Sequence, residues 1–145
     1  MRPIDKSIDN YMELLEALEP DKIERLIALC SEDVRFKDPF HDVTGKAAYT
    51  HVLHDMCKKL EWFRFDVSHQ ARDGNAWLFA WVFSAEARVV GSFSFDGMSL
   101  VQVNDAGQVT LHIDYWDGAE GLLQRLPVLG PGIKALRKAL GTKDA

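Results

Sequence analysis

The sequence predicts an α+β fold on three observations. Segments of helical apolar period come first, segments of period two joined by short polar turns follow, and 145 residues suit one core. Helices that precede a meander in sequence usually cover one face of its sheet. Single cores occupy roughly 100–200 residues, so one domain spans residues 1–145, with a core over about 7–117 and a helical tail over 118–145.

The first helix runs from Ser7 to Leu18, where Ile8, Tyr11, Met12, Leu15 and Leu18 fall on one apolar face. Glu19-Pro20-Asp21 ends it, and Pro20 suits the first turn of a second helix striped by Ile23, Leu26, Ile27 and Cys30. Val34 to Lys37 alternates as a short strand. It stops at Asp38-Pro39-Phe40, because proline holds the preceding residue extended and brings no donor. A loop through Asp42 and Gly45 leads to a third helix, in which Ala48, His51, Val52, Asp55 and Met56 recur at helical spacing, ending near Lys58 and Lys59. From Trp62 the period becomes two. Trp62–His69, Ala76–Arg88, Gly91–Val103 and Gln108–Trp116 read as strands, with turns at Asp73-Gly74-Asn75 and Asn104–Gly107. The tail from Leu122 to Leu140, interrupted by Pro127 and Gly130-Pro131-Gly132, reads as a broken helix that closes the sheet or meets a second copy.

Composition narrows the function. The formal charge of −5 supplies no basic footprint for nucleic acid. Met1 to Asn10 is polar, unlike a signal peptide, and no apolar run approaches the ~20 residues of a membrane span, so no membrane partner and a cytoplasmic location are expected. Cys30 and Cys57 have no close zinc-type partners and read as buried reduced thiols. Of His41, His51, His54 and Asp55, the two that share a helix face, His51 and Asp55, read as a solvated or pocket-rim pair; no metal and no cofactor are expected. There is no phosphate loop, serine elbow or cysteine-nucleophile context.

Several strings are familiar. Tyr11-Met12-Glu13-Leu14, the run Glu32-Asp33-Val34-Arg35-Phe36-Lys37-Asp38-Pro39-Phe40, Gly45, Asp105-Ala106-Gly107 and Tyr115-Trp116 resemble, in this order, the SnoaL-like proteins and ketosteroid isomerases of the nuclear transport factor 2-like superfamily. The resemblance covers roughly Ile8 to Trp116. It implies a cone-shaped, curved antiparallel sheet packed against the N-terminal helices and enclosing a pocket for a small, apolar molecule. In ketosteroid isomerases an aspartate base works with an oxyanion hole made by a tyrosine and a protonated aspartic acid. The resemblance implies Asp38 as the base, and Tyr11 as the tyrosine if the Ala17–Pro20 turn carries a short insertion. Ser99 stands where the second acid would be, while alternation points Asp96 to the other face, so the full triad is absent. Trp116, Phe36 and Phe40 join Ser99 as expected ligand contacts.

On the last strand, His112, Asp114 and Trp116 alternate and share one face, which the resemblance makes the pocket face. A carboxylate among aromatic rings becomes a better proton acceptor near neutral pH, and a neighbouring histidine can donate or shuttle that proton. Each residue also has a purely structural reading. His112 and Asp114 can be a buried pair that satisfies the strand, Asp38 can cap its loop, and Tyr11 can be a helix residue at the cavity edge. Trp62, Trp77, Trp81, Phe63, Phe65, Phe79, Phe83, Phe93 and Phe95 are too many for one binding box, so most are expected in the core or a dimer surface. Two functions follow. One is a cofactor-independent isomerase, cyclase or dehydratase acting at an enolisable carbonyl. The other is a non-catalytic module that binds a small molecule or a partner. A homodimer through the outward row Met98, Leu100 and Gln102 is expected under either.

Overall fold

The computed structural model describes residues 3–88, 90–118 and 129–141. Helix α1 (Pro3–Glu16) is followed by a 3₁₀ turn at Pro20–Lys22 and a short α2 (Ile23–Ala28). Strand β1 (Cys30–Lys37), strand β2 (Asp42–Thr44) and α3 (Lys46–Lys59) come next, then β3 (Leu60–Asp73), β4 (Ala76–Ala87), β5 (Gly91–Val103) and β6 (Val109–Trp116). Of the expected tail, α4 (Leu129–Leu140) is described, and the part over residues 122–128 lies outside the described residues.

The six strands form one curved, unclosed sheet in the order β2-β1-β6-β5-β4-β3. Every neighbouring pair is antiparallel except β1 and β6, which run parallel. The exception is topological: β1 reaches β6 through α3 and the whole meander, whereas antiparallel neighbours can be joined by a tight turn. The expected antiparallel sheet therefore holds for the meander and fails at this one seam. Irregularities between Leu60 and Trp62, Val67 and His69, and Gln102 and Val103 bend the long strands.

Helices α1, α2 and α3 cover the concave face. Ile8, Tyr11, Met12 and Leu15 of α1, with Ile23 and Leu26 of α2, are buried in a core shared with Val34, Phe79 and Val101 of the sheet. On α3 the buried stripe is Tyr49, Val52 and Leu53, one step round from the expected face through Ala48 and His51; His51 is exposed. Strand β2, unread in the sequence, is only three residues long and adds an edge to β1. Gly45 then turns the chain into α3 at φ +100°, a conformation that glycine adopts without steric cost, and its amide bonds Val34 O at 2.7 Å.

Candidate functional site

A cavity of about 750 Å³ lies between the concave sheet face and α3. That is ample for a small organic molecule. Phe65, Trp81, Phe83, Phe93, Phe95 and Trp116 form much of its wall. The sequence reading assigned most of the aromatic residues on β3 to β5 to the core or a dimer surface. Six of the nine are indeed buried in the core, and five, Phe65, Trp81, Phe83, Phe93 and Phe95, also meet at one cavity, because the inward positions of three adjacent strands converge where the sheet curls. Trp77 and Phe79 are core, and Trp62 lies on the surface. Trp116 stacks on Phe95 at 4.4 Å between ring centres, and Phe40 meets it edge-on at 5.5 Å.

Six of the eight expected site residues line this cavity: Phe36, Asp38, Phe40, His112, Asp114 and Trp116. The parallel register Phe36↔His112 brings β1 and β6 together there. Asp38 lies two residues beyond Phe36 and Asp114 two beyond His112, so one seam carries both carboxylates to the cavity.

Tyr11 and Ser99 are set back from the wall. Tyr11 is fully buried, its hydroxyl 2.8 Å from His112 Nδ1 and 2.5 Å from the Tyr49 hydroxyl. Helix α1 packs too deep against the sheet for that hydroxyl to reach the cavity. Ser99 is buried on β5 as the register partner of Asp114. Its hydroxyl donates to Asp114 Oδ1 at 2.5 Å and accepts from Trp81 Nε1 at 2.8 Å. Asp96 is exposed on the opposite face of β5.

The result is a continuous chain of bonds: Tyr49, Tyr11, His112, Asp114, Ser99, Trp81. His112 Nε2 donates to Asp114 Oδ1 at 2.6 Å. Both bonds to Asp114 thus fall on Oδ1, and Oδ2 has no protein partner among the described residues. Phe36 stacks on Tyr49 at 4.8 Å and tilts against His112 at 5.4 Å, so one ring packs against two members of the polar chain. Removal from water pushes the Tyr11 and Tyr49 phenols well above their ordinary range, the neighbouring phenol adding to the effect on Tyr11.

Asp38 is tied into its own loop. Its Oδ1 accepts from the Phe40 and His41 amides at 2.8 and 2.7 Å and from His41 Nδ1 at 2.9 Å. This is an Asx-type turn, the capping geometry that aspartate before proline favours.

Sequence reasoning gave Tyr49, Lys58 and Arg88 no role, and the last two line the cavity together with His41. Tyr49 was detectable: with Val52, Leu53 and Met56 it makes an i, i+3, i+4, i+7 stripe in which a tyrosine needs a buried hydroxyl partner. Asp55 faces the cavity and pairs with Lys59 at 2.7 Å, an ion pair that lowers its carboxyl from the ordinary value. Among the described residues no three side chains of metal-binding type converge, and no helix is long and apolar enough to cross a membrane.

Comparison with solved structures finds this fold repeatedly. A nuclear transport factor 2-like protein of unknown function from Burkholderia pseudomallei superposes with a TM-score of 0.75 at 12% identity, covering 88% of this chain and 100% of that one. A LEH-like epoxide hydrolase from M. tuberculosis gives 0.67 at 19% identity, covering 90% and 92%. A putative polyketide cyclase from Xanthomonas campestris pv. campestris gives 0.65 at 18% identity, covering 81% and 92%. No curated protein matches the chain. The SnoaL-like domain model matches residues 11–112, from the α1 tyrosine to the β6 histidine of the polar chain, and the protein belongs to that family.

Proposed function

We propose that the protein is a cofactor-free enzyme that moves a proton on an apolar, oxygen-bearing substrate held in the aromatic cavity, with Asp114 as the base. The observation that carries this reading is the asymmetry of Asp114. One oxygen is held by Ser99 and His112, and the other has no protein partner among the described residues, in a cavity whose wall is otherwise mostly apolar. A carboxylate so held can take a proton from carbon next to a carbonyl and give it back elsewhere on the enol, the step shared by isomerases, cyclases and dehydratases. Ring closure of a polyketide and opening of an epoxide, the reactions named for two of the similar structures, also turn on proton transfer, at carbon beside a carbonyl in the first and between water and the epoxide oxygen in the second. Asp38, at the same cavity but fixed by three bonds in its loop, is the second carboxylate, placed to orient a substrate oxygen through water or a hydroxyl.

The test is a turnover screen of enolisable aromatic and polyketide-like carbonyl compounds with Asp114→Asn and Asp38→Asn. Asp114→Asn is expected to lower kcat by about 10²–10⁴, the usual contribution of a general base, with ligand affinity and melting temperature little changed. Full turnover in that variant would remove Asp114 from the role. Loss in Asp38→Asn alone would transfer the role to Asp38.

A second reading, a binding module, is favoured by the aromatic wall, which can hold a flat apolar ligand without chemistry. Binding would then survive both asparagine variants and fall when the cavity is filled, for example by Val52→Trp. Under either reading we propose a homodimer through the convex sheet face. The pairings Ala80↔Met98↔Tyr115 and Leu78↔Leu100↔Ile113 make an outward apolar row, in which Met98 is 47% and Tyr115 58% exposed. Light scattering on Met98→Lys checks it, with monomer as the expected result.

A further inference from the structure

The direction of every proton in the buried chain follows from counting donors. Trp81 Nε1 can only donate, so it uses an acceptor site on Ser99 Oγ and the Ser99 proton goes to Asp114 Oδ1. His112 Nε2 faces that same carboxylate oxygen and therefore carries a proton. At the other end the Tyr49 hydroxyl is fully buried, with the Tyr11 hydroxyl as its partner. Tyr11 lies between Tyr49 and His112 Nδ1. If Nδ1 also held a proton, three protons would meet two bonds, and one of the two phenol protons would be left inside the core without an acceptor among the described residues. An unpaired buried donor carries the full cost of its lost hydration. In the opposite direction nothing is orphaned: Tyr49 donates to Tyr11, Tyr11 to Nδ1, and Nε2–H to Asp114.

We propose that the Tyr11 hydroxyl, itself the partner of the Tyr49 hydroxyl, locks His112 in its Nε2–H tautomer and so makes the chain a dead end for protons rather than a wire. This rests on the reading of Asp114 as the base, and it narrows the reaction class. A proton taken from substrate onto Asp114 Oδ2 finds Nε2 already protonated and Nδ1 already occupied by the Tyr11 hydroxyl. It has no exit along this chain of bonds and, with substrate filling the cavity beside Oδ2, goes back to the bound substrate. The fitting reactions are therefore those that return the proton to another atom of the same substrate, as an isomerase or cyclase does, with no net transfer. Tyr11 and Tyr49 touch no substrate; they are positioning residues.

The experiment is nitrogen NMR of ¹⁵N-histidine-labelled full-length protein at neutral pH, with His112 assigned through the backbone. The wild type is expected to show Nε2 protonated and Nδ1 as an unprotonated nitrogen shifted by a hydrogen-bond donor. Tyr11→Phe should move the Nδ1 signal to that of an acceptor with no donor, and Tyr49→Phe should keep the wild-type tautomer because Tyr11 still donates. A proton on Nδ1 of the wild type overturns the lock without the need for any variant, as does an Nδ1 signal unchanged in Tyr11→Phe. The two ideas fail separately. Turnover that survives Asp114→Asn while the wild-type spectrum shows the locked tautomer refutes Asp114 as base and leaves the lock standing. A protonated Nδ1 refutes the lock whatever the activity.

Discussion

Ser99 and Asp114 are direct register partners across β5 and β6, and the serine hydroxyl lies 2.5 Å from the carboxylate oxygen that also receives His112. Replacing Ser99 with alanine removes a donor from Asp114 and also strands the Trp81 indole N–H, whose partner is this hydroxyl. The expected loss is about 1–3 kcal/mol, the cost of leaving a buried polar group unpaired. Urea unfolding followed by tryptophan fluorescence measures it. A variant as stable as the wild type would mean that the indole finds another acceptor.

Gly97 is expected to tolerate no side chain. A Cβ there would stand 2.2 Å from Cη2 of Trp81, its partner on β4 and a cavity residue. Gly97→Ala should push the indole off Ser99 at about 1–3 kcal/mol of overpacking strain. A shifted tryptophan emission together with a lowered midpoint in thermal unfolding is the expected signature.

Alkaline pH should unfold the protein through its buried phenols. Tyr11 and Tyr49 keep their protons in the folded state well above the roughly pH 10 at which unfolded tyrosines lose them. Above that pH the unfolded chain binds fewer protons than the native one, so stability is fully present below about pH 10 and falls as pH rises beyond it. An absorbance titration of the three tyrosines should lack two phenolate steps until the circular dichroism signal is lost.

Thiol chemistry should separate the two cysteines. Burial pushes the Cys30 thiol up to about 12, and it is fully enclosed, its Sγ 3.7 Å from Leu26 O. Cys57 is only partly buried, and its thiol is raised by desolvation alone. Iodoacetamide is expected to label Cys57 in the native protein and Cys30 only after denaturation, as read by peptide mass.

The fold was legible because its signals are local. Helical stripes such as Ile8-Tyr11-Met12-Leu15 and the alternation of β4 and β5 state their buried faces outright, and both hairpin turns are marked by glycine. The shared face of His112, Asp114 and Trp116 followed from the same period of two. What escaped depends on distances between elements. Only the depth of α1 against the sheet decides whether Tyr11 looks into the cavity or behind His112, and helical spacing carries no information about depth. Tyr49 was missed because the α3 stripe was read one step round the helix. The cavity aromatics were dispersed in the sequence reading because the curl of the sheet, which brings β3, β4 and β5 to one point, arises from irregularities that alternation does not announce. Asp38 had both roles open, and its three bonds now show the capping one in place, beside whatever its second oxygen does.

The parallel seam between β1 and β6 also sets an order of assembly. The meander can form from neighbours in the chain, hairpin by hairpin, but Phe36 reaches His112 only by closing a loop that contains α3 and most of the sheet. Such a long closure costs more entropy than a hairpin and is characteristically slow. The cavity wall that carries both carboxylates is thus completed at the strand pairing with the greatest separation in sequence. In a refolding experiment, binding of an apolar dye in the cavity should lag behind the recovery of β-sheet signal.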